Sequence, residues 1–110
     1  MTMEEKIEMY KEKNRFIERL SEALRAGTWG SSVEEIVYEV YTKQFSDRLS
    51  ETREYLIVHF IGGGKSPKFV SGNSNIANFR VLGTMIDGGY YDEVREYEGL
   101  KENGYERLPL

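Results

Sequence analysis

Apolar residues recur at three- and four-residue steps near the start of the chain. Ile7, Tyr10, Ile17 and Leu24, with Phe16, Leu20 and Ala23 beside them, predict a helix over residues 3–25. Charged residues, among them Arg19, fill the other positions, and Glu8 and Glu12 stand at i,i+3 spacing from Lys11 and Arg15. Gly27 sits where a C-terminal glycine cap belongs. The apolar stripe is wider than a two-position coiled-coil seam, so the expected setting is a helix laid on a sheet. Thr28–Trp29–Gly30–Ser31 then reads as a connector, with Trp29 anchoring one end of a core.

Residues 33–42, VEEIVYEVYT, carry two competing patterns. As a strand, Ile36, Tyr38, Val40 and Thr42 share one face. As a helix, Val33, Ile36, Val37, Val40 and Tyr41 form a stripe, and Ser32 with Glu35 makes a capping box. The density of β-branched and aromatic residues favours the strand. The tract KQFSDRLSETR reads as a polar connection holding Phe45, Leu49 and a helical turn.

EYLIVHFI, residues 54–61, is the strongest strand, and its near-continuous apolar run suits a central position. Gly62–Gly63–Gly64 permits a tight reversal. Lys68–Ser71 is the returning strand, and Pro67 near its start points to a strand end or an edge. Ile76, Phe79, Val81, Leu82, Met85 and Ile86 predict a helix over roughly 74–87, capped by Asn73 or Ser74 and closed by Asp87–Gly88–Gly89. A short acidic helix is expected from Tyr90 to about Glu98, with Tyr90, Val94 and Tyr97 on one side. The expected fold is α+β with element order α-β-β-β-α-α: an N-terminal amphipathic helix, a three-stranded antiparallel meander, and one or two C-terminal helices, all helices on one sheet face. The 110 residues fit one domain. About 102–110 form a loose tail in which Tyr105, Leu108 and Leu110 tuck back or fray.

Composition narrows the function classes. There is no cysteine, which removes disulfides, thiolate metal sites and cysteine catalysis. No apolar run reaches the ~20 residues of a membrane span, and the charged start MTMEEKIEMYKEK has no signal-peptide core. The expected location is cytoplasmic, with no membrane partner. Net charge is −4, and it is unevenly spread. Residues 1–42 hold nine acids against six bases, 43–80 six bases against three acids, and 81–110 seven acids against three bases. The acidic total disfavours nucleic acid as a partner, while the basic middle keeps it in view.

Candidate chemistry is sparse. Gly64–Lys65–Ser66 resembles the end of a phosphate-binding loop, but His59 stands where the first glycine belongs and Pro67 follows in place of a helix, so a hairpin turn is the reading. His59, the sole histidine, has no nucleophile or orienting acid assigned by spacing, and no catalytic residue is assigned. Asp87, Asp92, Glu93, Glu96 and Glu98 lack calcium-loop spacing and read as a solvated acidic face. No metal or cofactor is expected. SGNSN puts short amides and a hydroxyl at a helix N-terminus, which with Lys65, Lys68 and Arg80 makes an anion site of Lys65, Lys68, Asn73, Ser74, Asn75 and Arg80.

The order helix, three strands, helix over about residues 5–87 resembles the double-stranded RNA-binding domain. That family places a lysine cluster at the start of its last helix. The matching positions Ser74, Asn75, Ile76, Ala77 and Asn78 contain no lysine, so the charge such a domain needs on RNA phosphates is missing. The expectation is therefore a non-catalytic domain acting through protein contacts or self-association, of a kind common among accessory proteins of bacteria and mobile elements. Its partner surface is expected at Tyr90, Tyr91, Asp92, Glu93 and Tyr97. The alternative is a nucleic-acid or anion-binding module built on the basic hairpin and the GNSN helix start.

Overall fold

The computed structural model describes residues 2–26, 33–70 and 91–110. Its elements run α1 (Met3–Ala26), β1 (Val33–Gln44), β2 (Ser50–Phe60), β3 (Lys65–Phe69), α2 (Tyr91–Glu98) and β4 (Glu106–Arg107). The strands pair antiparallel in the order β3-β2-β1-β4. The α+β class and the N-terminal helix agree with the hydrophobic pattern. The described sheet has four strands where three are expected. The extra one, β4, is two polar residues long and carries no alternation from which to read it. The helix expected over 74–87, the glycine cap at Gly27 and the connector holding Trp29 lie outside the described residues.

α1 begins with Thr2, whose Oγ1 accepts from the Glu5 N–H at 3.1 Å and donates to the Glu5 carboxylate, satisfying an orphan donor of the first turn. The helix turns Tyr10, Ile17 and Ser21 into the core, with Met9 and Leu20 partly buried alongside. Full burial of a side chain such as Ile17 stabilises by about 1.5–3 kcal/mol. Phe16, grouped with this stripe in the sequence, is largely exposed.

Residues 33–42 are strand. β1 and β2 form a long hairpin that runs through the supposed polar connection, with Tyr41 opposite Arg53, Thr42 opposite Thr52 and Lys43 opposite Glu51. The loop shrinks to Phe45–Leu49, closed by the Phe45 N–H donating to the Leu49 carbonyl at 2.8 Å. Ladder bonding and opposite-charge pairs extend strands beyond the core, where hydrophobic alternation gives no sign of them. A register shift between Val33 and Glu35 marks a bulge at the start of β1. Gly62 and Gly63 turn the chain with φ of 105° and 103°, values that L side chains rarely adopt. β3 lies at an edge of the sheet among the described residues, but it spans Lys65–Phe69 in place of the expected Lys68–Ser71, so Pro67 sits at its centre, where an edge strand tolerates the missing N–H.

Alternate residues along β1 and β2 build two separate cores. Ile36, Tyr38, Val40, Leu56 and Val58 face α1, and Val70, Leu108 and Leu110 join them. Tyr41, Tyr55 and Ile57 face the other way, onto Leu100, Tyr105 and Tyr97 at the end of the chain. α1 and α2 therefore cover opposite faces of the sheet, which corrects the expectation that these two share one face. The reason is the apolar run of β2: a central strand buried on both sides needs a cover on each. The C-terminal residues tuck back, with Tyr105 buried. No helix among the described residues is long and apolar enough to cross a membrane.

Candidate functional site

On the α2 face the sheet carries tyrosines and carboxylates at alternate positions, and the fold pairs them. Glu39 is buried, and its Oε1 accepts from the hydroxyls of Tyr41 at 2.5 Å and Tyr97 at 2.9 Å. Its Oε2 lies 3.8 Å from the Arg107 guanidinium. Tyr55 donates to Glu96 at 2.9 Å, Arg53 also pairs with Glu96, and Tyr105 donates to Glu51 at 2.7 Å. The rings of Tyr41, Tyr55 and Tyr97 meet edge-to-face with centroids 5.7–6.2 Å apart. Burial, reinforced by donation to a carboxylate, pushes the Tyr41 and Tyr55 hydroxyls well above the usual phenol range. The Glu51 carboxyl is held low by the Tyr105 hydroxyl and by Arg53. A matching node lies on the α1 face. There the buried Glu54 accepts from Tyr38 and from Lys13, the latter at 2.8 Å. These contacts fasten each helix to the sheet.

The outer edge of β1 is different. β4 pairs only with Tyr41 and Thr42, and the Leu108 N–H donates to the Val40 carbonyl at 2.8 Å. In an antiparallel ladder a residue sends its N–H and C=O to the same side, and its neighbour sends both to the other. The contact at Val40 thus places the backbone groups of Tyr38 and Ile36 on this same outer side. The Ile36 N–H is taken by Ser21 Oγ of α1 at 2.9 Å. Between Ser21 and Leu108 the Ile36 carbonyl and both Tyr38 groups have no strand partner among the described residues.

Two hollows flank this gap. One of about 620 Å³ lies between α1 and the C-terminal residues, lined by Asn14, Glu18, Ser21, Glu22, Ile36, Tyr38, Leu108 and Leu110. The other, about 670 Å³, lies on the α2 face, lined by Glu39, His59, Lys65, Tyr97, Leu100 and Lys101. Glu35, Val37 and Arg107 border both.

Of the anion site expected from sequence, the structure describes Lys65 and Lys68 and separates them. Lys65 pairs across to His59 on the α2 face, whereas Lys68 pairs across to Leu56 on the α1 face. A three-residue spacing in a strand puts two side chains on opposite faces. Asn73, Ser74, Asn75 and Arg80 lie outside the described residues, as do Tyr90 and the start of the helix through which the double-stranded RNA-binding resemblance would act. Tyr91, Asp92 and Glu93 fall in the first turn of α2. Tyr97 turns toward the sheet and Glu39, so its hydroxyl serves an internal contact. Lys65 and Tyr97, from the two proposed sites, line the same α2-face cleft. Among the described residues no group of three or more histidines and carboxylates is placed to hold a metal.

Sequence reasoning passed over the β1 edge. Its signal is Glu34–Glu35 at the start of a strong strand, with Glu39 inside it, since charged residues in an otherwise apolar strand often mark an edge. Comparison with known proteins gives no match to a protein family, a curated protein or a solved structure.

Proposed function

We propose that this protein is a non-catalytic binding domain that acts through contact with another protein, and that the outer edge of β1 is the contact surface. The observation that carries this reading is the gap between Ser21 and Leu108, where backbone groups of a central, well-packed strand lack a strand partner among the described residues. Proteins commonly cover or blunt such edges, because unpaired N–H and C=O groups template the pairing of another chain. The hollows on either side give room for the side chains of an added segment. The tyrosine–carboxylate contacts hold α2 against the sheet and so form the support of this surface.

The test is selection of displayed random peptides against the folded protein, followed by backbone amide mapping. Selected peptides should shift the Ile36–Tyr38 amides. Binders that all map to other surfaces would refute the edge as the contact site.

A second reading has one observation in its favour. His59, Lys65, Lys101 and Arg107, from four parts of the chain, line the α2-face cleft. That cleft would hold an anion, as a free ion or as a phosphate of nucleic acid, with Lys65 as the one contribution from the basic hairpin. Titration of inorganic phosphate should then shift the His59 ring resonances, and unchanged resonances would rule it out.

A further inference from the structure

We infer that the segment this edge accepts is an extended stretch of a partner protein with lysine or arginine at alternate positions, added to the sheet beside Ile36–Tyr38. The inference rests on the reading of the β1 edge as the contact surface and names the chemistry of what binds there.

The backbone sets the mode. One carbonyl at Ile36 and both groups at Tyr38 can exchange hydrogen bonds with a strand laid alongside, which is the main-chain part of β-strand addition. Ser21 at one end and Leu108 at the other limit this ladder to a few bonds, so side chains must supply the remaining affinity and the specificity.

The charges around the gap set the partner. Side chains of an added strand alternate between the two sheet faces. Those turned toward α1 meet Glu18 and Glu22, exposed one turn apart, while Arg107 is the base that lines this hollow. Those turned toward α2 meet Val37 and Leu100, with Glu35 and Glu39 beside them, and Lys65, Lys101 and Arg107 line the same hollow, so basic side chains are not favoured on this side. Glu39 is buried, its Oε1 is engaged by two tyrosines, and its Oε2 faces Arg107 only at 3.8 Å. A strand with basic residues on the α1 side and apolar residues on the α2 side complements both.

The same charges disfavour other occupants. A second copy pairing edge to edge would bring Glu34, Glu35 and Glu39 of both chains together, and like charges across strands are destabilising. A phosphate backbone laid along the α1 side of the gap would meet Glu18 and Glu22.

The probe is a capped heptapeptide of alternating lysine and valine, titrated into isotopically labelled full-length protein. Binding should shift the Ile36–Tyr38 amides. Glu18→Gln and Glu22→Gln, both at exposed positions, should each weaken it about two- to fivefold. Backbone N-methylation at the lysines and at the valines should give two isomers that differ about fivefold or more, because only one set of N–H groups points to β1. Equal binding by a glutamate–valine peptide at the same amides would overturn the basic chemistry and leave the edge reading standing. Lysine–valine binding that ignores N-methylation, or maps to the outer side of α1, would overturn strand addition. If this peptide fails while display-selected peptides still shift Tyr38, this inference fails alone. If neither engages the edge, both readings fail.

Discussion

Raising the pH should unfold this protein cooperatively through its tyrosines. Tyr38, Tyr41 and Tyr55 are 1%, 7% and 0% exposed, and each hydroxyl donates to a glutamate. Burial and the neighbouring carboxylate raise each folded pKa far above the ordinary phenol value of about 10. Their stabilising contribution is therefore fully present below the unfolded pKa and is lost as pH rises toward the folded pKa. Above about pH 10 the unfolded chain releases protons that the folded chain keeps, so each tyrosine removes about 1.4 kcal/mol per pH unit. Three together remove about 4 kcal/mol per unit. A domain holding about 5–10 kcal/mol would then unfold within roughly two pH units above 10. The assay follows tyrosinate absorbance and far-ultraviolet circular dichroism on the same alkaline titration. Part of the tyrosinate signal should rise steeply and together with the loss of ellipticity. If all eight tyrosines ionised smoothly near pH 10 with the ellipticity unchanged, the buried tyrosine–carboxylate pairing would be wrong.

Other consequences are equally direct. Glu54→Leu strips Tyr38 and Lys13 of their shared acceptor and should cost about 2–4 kcal/mol in urea denaturation. Tyr38→Phe in the same background should recover at least about 1 kcal/mol, because the orphaned hydroxyl is gone. Strict additivity of the two changes would mean that the hydroxyl and carboxylate are not coupled. Gly62→Ala and Gly63→Ala should each cost about 1 kcal/mol from positive φ alone, since nothing lies within 4 Å of an added Cβ. Gly64→Ala, with negative φ and only the Phe60 ring at 3.6 Å, should be near neutral or stabilising; equal losses at all three in thermal melts would contradict this backbone assignment. Tyr97→Phe removes the α2 contact to Glu39 and should cost about 1 kcal/mol. Amide exchange should accelerate in Tyr91–Glu98 while the β1–β2 amides stay protected; acceleration spread evenly over the sheet would show that α2 is not held in this way.

Local physics made α1, the strand state of residues 33–42, β2 and the glycine turn legible. Helical stripe, β-branched density and the conformational freedom of glycine all act within a few residues. The separation of Lys65 from Lys68 was also present in their spacing, because alternation along a strand is a local rule. Tertiary structure alone decided the rest. β2 is apolar on both faces, but which helix covers which face depends on chain crossings far apart in sequence. Glu39 and Glu54 stand beside apolar neighbours in the sequence, which does not show what they pair with. They became acceptors only when Tyr97, Tyr38 and Lys13 arrived from other elements to satisfy them. The open edge of β1 likewise exists because β4 stops after two ladder residues, while Ser21 reaches Ile36 from a helix fifteen residues away in sequence. Whether a strand's backbone is paired is a property of its neighbours in space, and a single strand's sequence does not contain them.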